Sequence, residues 1–193
     1  DTPLVLKCAA GSRVVAVALG LLFDALISDY DTSSHLLAKL LGAPTSTFAH
    51  WDAVYFLHIA GTQDYEYEHF AAFFPLYPTL LHGLGLTVLR PLHQVMSSRS
   101  VLVVAGMLVS NTCFVLAALL LHRLSLVVTG NRQLARTSAI LFCLTPASVF
   151  MSAVYTESLY ACLAFAGMLA WVGGHRWGAT ALFLSATAAR SNG

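Results

Sequence analysis

The 193-residue chain is 58% hydrophobic and only 10% charged, against about 25% charged in an ordinary soluble domain, so it reads as a membrane protein. Its formal net charge of +1 supplies neither a basic patch nor an acidic tail, which excludes nucleic acid as a partner. Cys8, Cys113, Cys143 and Cys162 are spaced for neither a zinc site nor a disulfide framework, and no metal or cofactor is expected. At about 20 residues a span, the length allows roughly five or six crossings, read as one membrane domain over 1–193. The chain opens on Asp1 rather than Met and stops without a polar tail, so it is expected to be a fragment.

In chain order, the first apolar run goes from Val14 to Ser28 and carries Asp24 about one turn from its polar exit. A loop over 29–69 follows. The next run, Phe70 to Leu89, contains Pro75, Pro78, Gly83 and Gly85 and is the poorest straight helix of the set, so it is expected to lie along the interface or to dip in and return. Val101 to Leu121, Thr137 to Met151, Ser158 to Gly173 and Trp177 to Ala189 are the remaining runs. Backbone groups in hydrocarbon must bond internally, so each is predicted to be a helix or a protein-buried re-entrant piece. Lys and Arg mark the cytoplasmic face. With Lys7 and Arg13 there, and Arg123, Arg132 and Arg136 beside them, the 29–69 loop and the stretch from Pro146 to Glu157 fall on the opposite, luminal face.

The scarce carboxylates concentrate in or before the strip from Phe48 to Pro78. Asp52 follows Trp51 and precedes Tyr55 and Ile59 at helical spacing, an arrangement that suits a short helix in the headgroup layer with an acid at the water edge. An interfacial aromatic belt with Asp52 as a plain helix cap reads the same residues equally well. Asp29-Tyr-Asp31 matches the Asp-x-Asp pattern that holds a divalent ion on a sugar diphosphate, but the glycine-rich cradle of nucleotide sites is missing, and Asp31 could instead cap the helix after it. Asp64, Glu66, Glu68 and His69 are either site groups or solvated loop charges. Asp24 and Glu157 sit near membrane depth, where an acid is expensive and functional by default.

Several stretches together resemble the second GPI mannosyltransferase family. They are Asp31-Thr-Ser, Trp51-Asp-Ala-Val-Tyr-Phe-Leu-His-Ile-Ala, Tyr67-Glu-His before Ala72-Phe-Phe-Pro-Leu-Tyr-Pro78, Leu144-Thr-Pro-Ala-Ser-Val-Phe with Tyr155-Thr-Glu-Ser-Leu-Tyr, and Ala189-Arg-Ser-Asn-Gly193. Their order through one membrane chain makes the resemblance specific. It covers nearly the whole sequence, but about the N-terminal half of such an enzyme. His50 departs from the basic residue expected there, and Ala71-Ala72 from a bulkier stretch.

The resemblance implies an all-α polytopic membrane protein: a transmembrane helix bundle of the GT-C type with a luminal loop, 29–69, carrying short interfacial helices and the catalytic acid. It implies an endoplasmic reticulum enzyme that moves mannose from dolichyl phosphate mannose to a GPI-precursor glycolipid in α-1,6 linkage, in contact with membrane lipid and with a small membrane-protein subunit as a further candidate partner. On this sequence Asp52, Trp51 and Asp31 become the catalytic candidates, and Tyr55, Glu68, His69, Glu157 and Arg190 the substrate-binding ones. Inversion at one centre needs one general base, assigned to Asp52, and a cation for the departing phosphate, assigned to Arg190. Two other classes compete: a transporter or flippase with Asp24 and Glu157 in its pathway, and a non-catalytic membrane subunit.

Overall fold

The computed structural model of the protein describes residues 1–27 and 46–190; Asp29 and Asp31 lie outside them. The described residues are helical, without a strand. The α-helices are α1 (Thr2–Leu26), α2 (Ala53–Thr62), α3 (Leu76–Leu86), α4 (Ser98–Thr129), α5 (Arg132–Cys143), α6 (Glu157–Val172) and α7 (Arg176–Ala189), with 3-10 turns at Ser46–Phe48, Glu68–Ala72 and Arg90–Gln94. Local chemistry sets several of these bounds. Ser97 Oγ accepts the Ser100 N–H to start α4, and Gly130, at φ 65°, ends it in the left-handed conformation that glycine adopts without steric cost. One residue on, Asn131 Oδ1 accepts the Leu134 N–H at 3.0 Å and opens α5, so the chain reverses in two residues.

Only α1 and α4 among the described helices are both long and apolar enough to cross a membrane. The outer face of α1 argues for lipid as its solvent, because Val14 and Leu26 are each 70% exposed and Phe23 and Leu22 about half. In water that stripe would forfeit the burial that stabilises an amphipathic helix. α4 has 32 residues, about 48 Å at 1.5 Å each, and outruns a hydrocarbon core of about 30 Å. It is the central post: α1, α3, α5 and α6 all pack on it.

Two runs depart from simple helices. Phe70 to Leu89 is broken into the turn Glu68–Ala72 and α3, whose 11 residues reach about 16 Å, half a bilayer core. Pro75 stands at its N-cap, as a residue without an N–H can only do at a helix start. The piece packs beside α2 and α4 and is too short to span the core as one straight helix. The run Thr137 to Met151 was expected to be a helix or a protein-buried re-entrant piece, and only its first part is helical, since α5 ends at Cys143. Pro146 explains this, since it lacks a donor and its ring disfavours helical geometry at Thr145.

Residues 144–156 therefore form an irregular strap whose exposed backbone needs partners inside the bundle. Arg13, at the middle of α1, supplies several: its guanidinium donates to Ser148 O and Ser152 Oγ, each at 3.0 Å, and to Ser148 Oγ. The same guanidinium lies 3.6 Å from the Phe114 ring centroid, a cation–π contact that strengthens out of water. Ser152 Oγ in turn donates to Asn111 Oδ1 at 2.8 Å. Farther along, Ser110 Oγ donates to Ala153 O at 2.8 Å and lies 3.1 Å from the Tyr77 hydroxyl. Gly106 permits this approach, because a Cβ there would sit 2.9 Å from Val154. Arg13 is thus 4% exposed and serves as an internal pin; it does not act as the free basic flank that its place in the sequence suggests. The early strap meets the bundle through Ser148, which Arg13 holds level with mid-α1, while Leu144 and Val149 stay exposed.

Contacts sort the rest into two ends. Asp1 lies 3.8 Å from Arg136, and Thr129 and Val172 line one apolar cleft, so the N-terminus, the α4–α5 turn and the end of α6 share one end. At the other, Thr47 Oγ1 donates to Asp24 at 2.8 Å and the Val154 N–H to Phe48 O at 3.1 Å. Arg190 pairs there with Glu157.

Arg13→Met in the complete protein should lower the melting temperature in detergent by roughly 5–10 °C, since each strap group left without a partner costs about 1–3 kcal/mol. Arg13→Lys should recover only part, a point charge being unable to fork between Ser148 and Ser152. A melting temperature equal to the parent's in Arg13→Met would show that Arg13 does not pin the strap.

Candidate active site

A polar cavity of about 180 Å³ opens at the Glu157 end of the bundle, lined by Asp52, Phe56, Phe73, Tyr155, Glu157 and Arg190 among others. At about 30 Å³ per water it has room for roughly six. Four parts of the chain, far apart in sequence, meet here: the entry to α2, the segment before α3, the end of the strap with the first residue of α6, and the residue after α7.

Asp52 occupies the N-cap of α2 but does not cap it. Its side chain makes no cap hydrogen bond and its backbone is helical (φ −60°, ψ −25°), whereas a capping residue is usually extended. The turn into the helix is closed by the Ala53 N–H on His50 O at 3.2 Å, which leaves the carboxylate for the cavity. Between them Trp51 has φ 51°, a left-handed conformation that costs a residue with a Cβ about 1–2 kcal/mol. Its indole is 59% exposed, and the residue precedes α2 without extending it. The ring stacks on Phe150 at 6.1 Å and 28°, and Phe150 meets Tyr155 edge-on at 5.4 Å.

Glu157 Oε1 accepts from Arg190 Nη1 at 2.6 Å. The pair fastens the start of α6 to the end of α7. Glu157 Oε2 is buried and has no hydrogen-bond partner among the described residues, and an unsatisfied buried acceptor is costly. Only one nitrogen of Arg190 is used by Glu157, which leaves the rest of its fork for an anion. Tyr155 donates its hydroxyl to His50 O at 3.1 Å. Burial first, then the negative charge of Asp52, pushes its phenol up to about 12, so it remains a donor at neutral pH.

Of the residues singled out from sequence, Asp52, Glu157 and Arg190 line this one cavity and Trp51 flanks it. Tyr55 stands one layer back, stacked on the cavity residue Phe73 at 4.5 Å. His69 meets Tyr55 edge-on at 5.6 Å, and Glu68 precedes it in the same exposed turn; neither reaches the cavity. Asp24 is occupied by Thr47 and anchors the end of α1. Asp31 lies outside the described residues. Among those residues no cluster of acids, histidines and cysteines could hold a metal ion. Tyr155 and Phe73 were passed over as site residues, although both sit within the family-like stretches; their aromatic character pointed equally to packing.

The family model for Mannosyltransferase (PIG-V) matches residues 3–193. The chain is 39% identical over 198 residues to GPI alpha-1,6-mannosyltransferase 2 of Cricetulus griseus and 37% identical to that of Homo sapiens, in each case over 98% of this chain and 40% of the relative. GPI mannosyltransferase 2 of Drosophila melanogaster is 28% identical over 83% of this chain. No solved structure matches. The chain belongs to the Mannosyltransferase (PIG-V) family and spans about 40% of the length of the relatives it matches most fully.

Proposed function

We propose that the complete protein is a membrane α-1,6-mannosyltransferase that adds the second mannose to a GPI-anchor precursor, with the cavity at Asp52 as its catalytic end. The observation that carries this reading is the meeting of Asp52, Glu157 and Arg190 in one polar cavity of a chain whose relatives are named GPI mannosyltransferases. The donor is dolichyl phosphate mannose and the acceptor a mannosyl-glucosaminyl-phosphatidylinositol lipid, both presented from the membrane. The helices form a polytopic bundle of the GT-C type in the endoplasmic reticulum, with the Asp52 end luminal and the Asp1 end cytoplasmic.

In the reaction, the acceptor 6-hydroxyl oxygen attacks the mannose anomeric carbon from the face opposite the phosphate. The new C–O bond forms as the bond to the phosphate oxygen breaks. Asp52 takes the hydroxyl proton, a contribution of about 10²–10⁴-fold for a placed base, and dolichyl phosphate leaves with the bonding electrons. Arg190, held by Glu157, offers its free N–H groups to the phosphate. The open oxygen of Glu157 accepts a hydrogen bond from an acceptor hydroxyl or ammonium. Trp51 offers an exposed ring at the headgroup level, Tyr55 backs the wall through Phe73, and Glu68 and His69 border the approach. Asp31 orients the acceptor. One displacement with a monophosphate leaving group requires no metal. The transporter reading is weakened by Asp24, whose carboxylate is tied to Thr47 at the end of α1.

Asp52→Asn in the full-length enzyme should cut mannose transfer at least about 100-fold while insertion into the membrane stays normal. Synthetic acceptor lipid would be supplied with dolichyl phosphate mannose or GDP-mannose, each with and without chelator. Chelator-resistant transfer from the lipid donor alone is expected; chelator-sensitive transfer from GDP-mannose would replace the mechanism with a metal-dependent one.

Orientation has its own test. Cysteines introduced at Ser46 and Thr62 should react with an impermeant thiol reagent from the luminal side, and one at Gly130 from the cytoplasmic side. Luminal labelling at Gly130 would mean that the ends are assigned incorrectly.

A further inference from the structure

We infer that Tyr155 is a positioning residue whose hydroxyl latches the His50–Ala53 elbow and thereby holds the Asp52 carboxylate in the cavity; the inference rests on Asp52 being the base. Three observations converge on the latch. The His50 carbonyl accepts twice, from the Ala53 N–H at 3.2 Å, which closes the elbow, and from the Tyr155 hydroxyl at 3.1 Å. A carbonyl oxygen has two lone pairs, and here one holds the turn's shape while the other fixes it to the strap.

Second, the elbow contains a left-handed residue that is not glycine, Trp51 at φ 51°. Such a conformation persists only where the surroundings over-determine it. The surroundings are supplied by the strap: Trp51 stacks on Phe150, Phe150 meets Tyr155 edge-on, and the Val154 N–H donates to Phe48 O at 3.1 Å just upstream. Third, the strap end that carries the latch is itself immobilised on α4, with Val154 against Gly106 and Ala153 O accepting from Ser110 Oγ at 2.8 Å. The hydroxyl is therefore presented from a fixed point. With its acidity suppressed by burial, Tyr155 stays a donor and takes no proton from the acceptor.

Released from Tyr155, the elbow can relax Trp51 toward negative φ, which swings the following residue. Because Asp52 is that residue, the base moves while the rest of the cavity, built on Glu157, Arg190 and Phe73, stays in place. A displaced base lowers the rate of the chemical step without weakening substrate binding.

The test uses the full-length enzyme in detergent with saturating lipid donor and acceptor. Tyr155→Phe retains the ring against Phe150 and deletes only the hydroxyl. Its kcat should fall about tenfold to a hundredfold, as expected for a base misplaced by about an ångström, with KM for both substrates close to the parent's. The same substitution made in an Asp52→Glu background, where the carboxylate is already displaced, should cost much less. A parental kcat in Tyr155→Phe, or an equal cost in both backgrounds, would overturn the latch while leaving Asp52 as the base. A parental rate in Asp52→Asn would instead overturn the base assignment, and the latch with it.

Discussion

The structure turns on a constraint imposed at Pro146. A helix that would otherwise carry α5 across the bundle stops at Cys143, and irregular backbone at that depth persists only if the protein itself satisfies its polar groups. Arg13 from α1, and Ser110 and Asn111 from α4, meet that demand. Once the strap is held, its far end is held too, and Val154, Tyr155 and Glu157 arrive at the cavity from a fixed direction. Without those side chains the strap would have to be helical or solvated, and in neither case would Tyr155 reach His50.

Polarity and close packing are combined at the same level of α4. Gly106 lets Val154 approach, and four residues on, Ser110 bonds both the strap and Tyr77. Tyr77 is fully buried and its ring meets Phe56 of α2, so the strap, the central post, α2 and α3 share one contact region. A second small residue, Gly167, plays the equivalent part between α6 and α7: a Cβ there would lie 2.7 Å from Phe183. Close approach at Gly167 sets how α7 runs back, and α7 delivers Arg190 to Glu157.

The cavity inherits its properties from this frame. Its acids and its arginine come from elements fixed by packing, and its strained residue, Trp51, sits where the chain must turn sharply into α2. The Glu157–Arg190 pair is partly exposed, and such pairs add little to stability. Its consequence is geometric: it holds one nitrogen of a guanidinium at the wall of the cavity. The proposed transfer, in which a hydroxyl loses a proton as a phosphate departs, would draw on that arrangement within one small volume.

What the sequence determined by itself was the class and the parts. Low charge and long apolar runs are one-dimensional properties, so the membrane character and the helices follow from composition, whereas the apolar run to Met151 did not show that its helix stops at Cys143. Family-like stretches around Trp51, Tyr155 and Arg190 were legible for the same reason. Tertiary structure alone decided how the parts combine. Nothing local to Arg13 distinguishes a topological charge from a buried pin, since the difference lies in Ser148 and Ser152, more than 130 residues away. Nor does any spacing reveal that Asp52 leaves its helix uncapped, that Glu157 holds Arg190, or that Tyr155 reaches His50. Those outcomes depend on which helices touch, and contact between distant segments is set by the shapes of buried surfaces, which no single segment encodes.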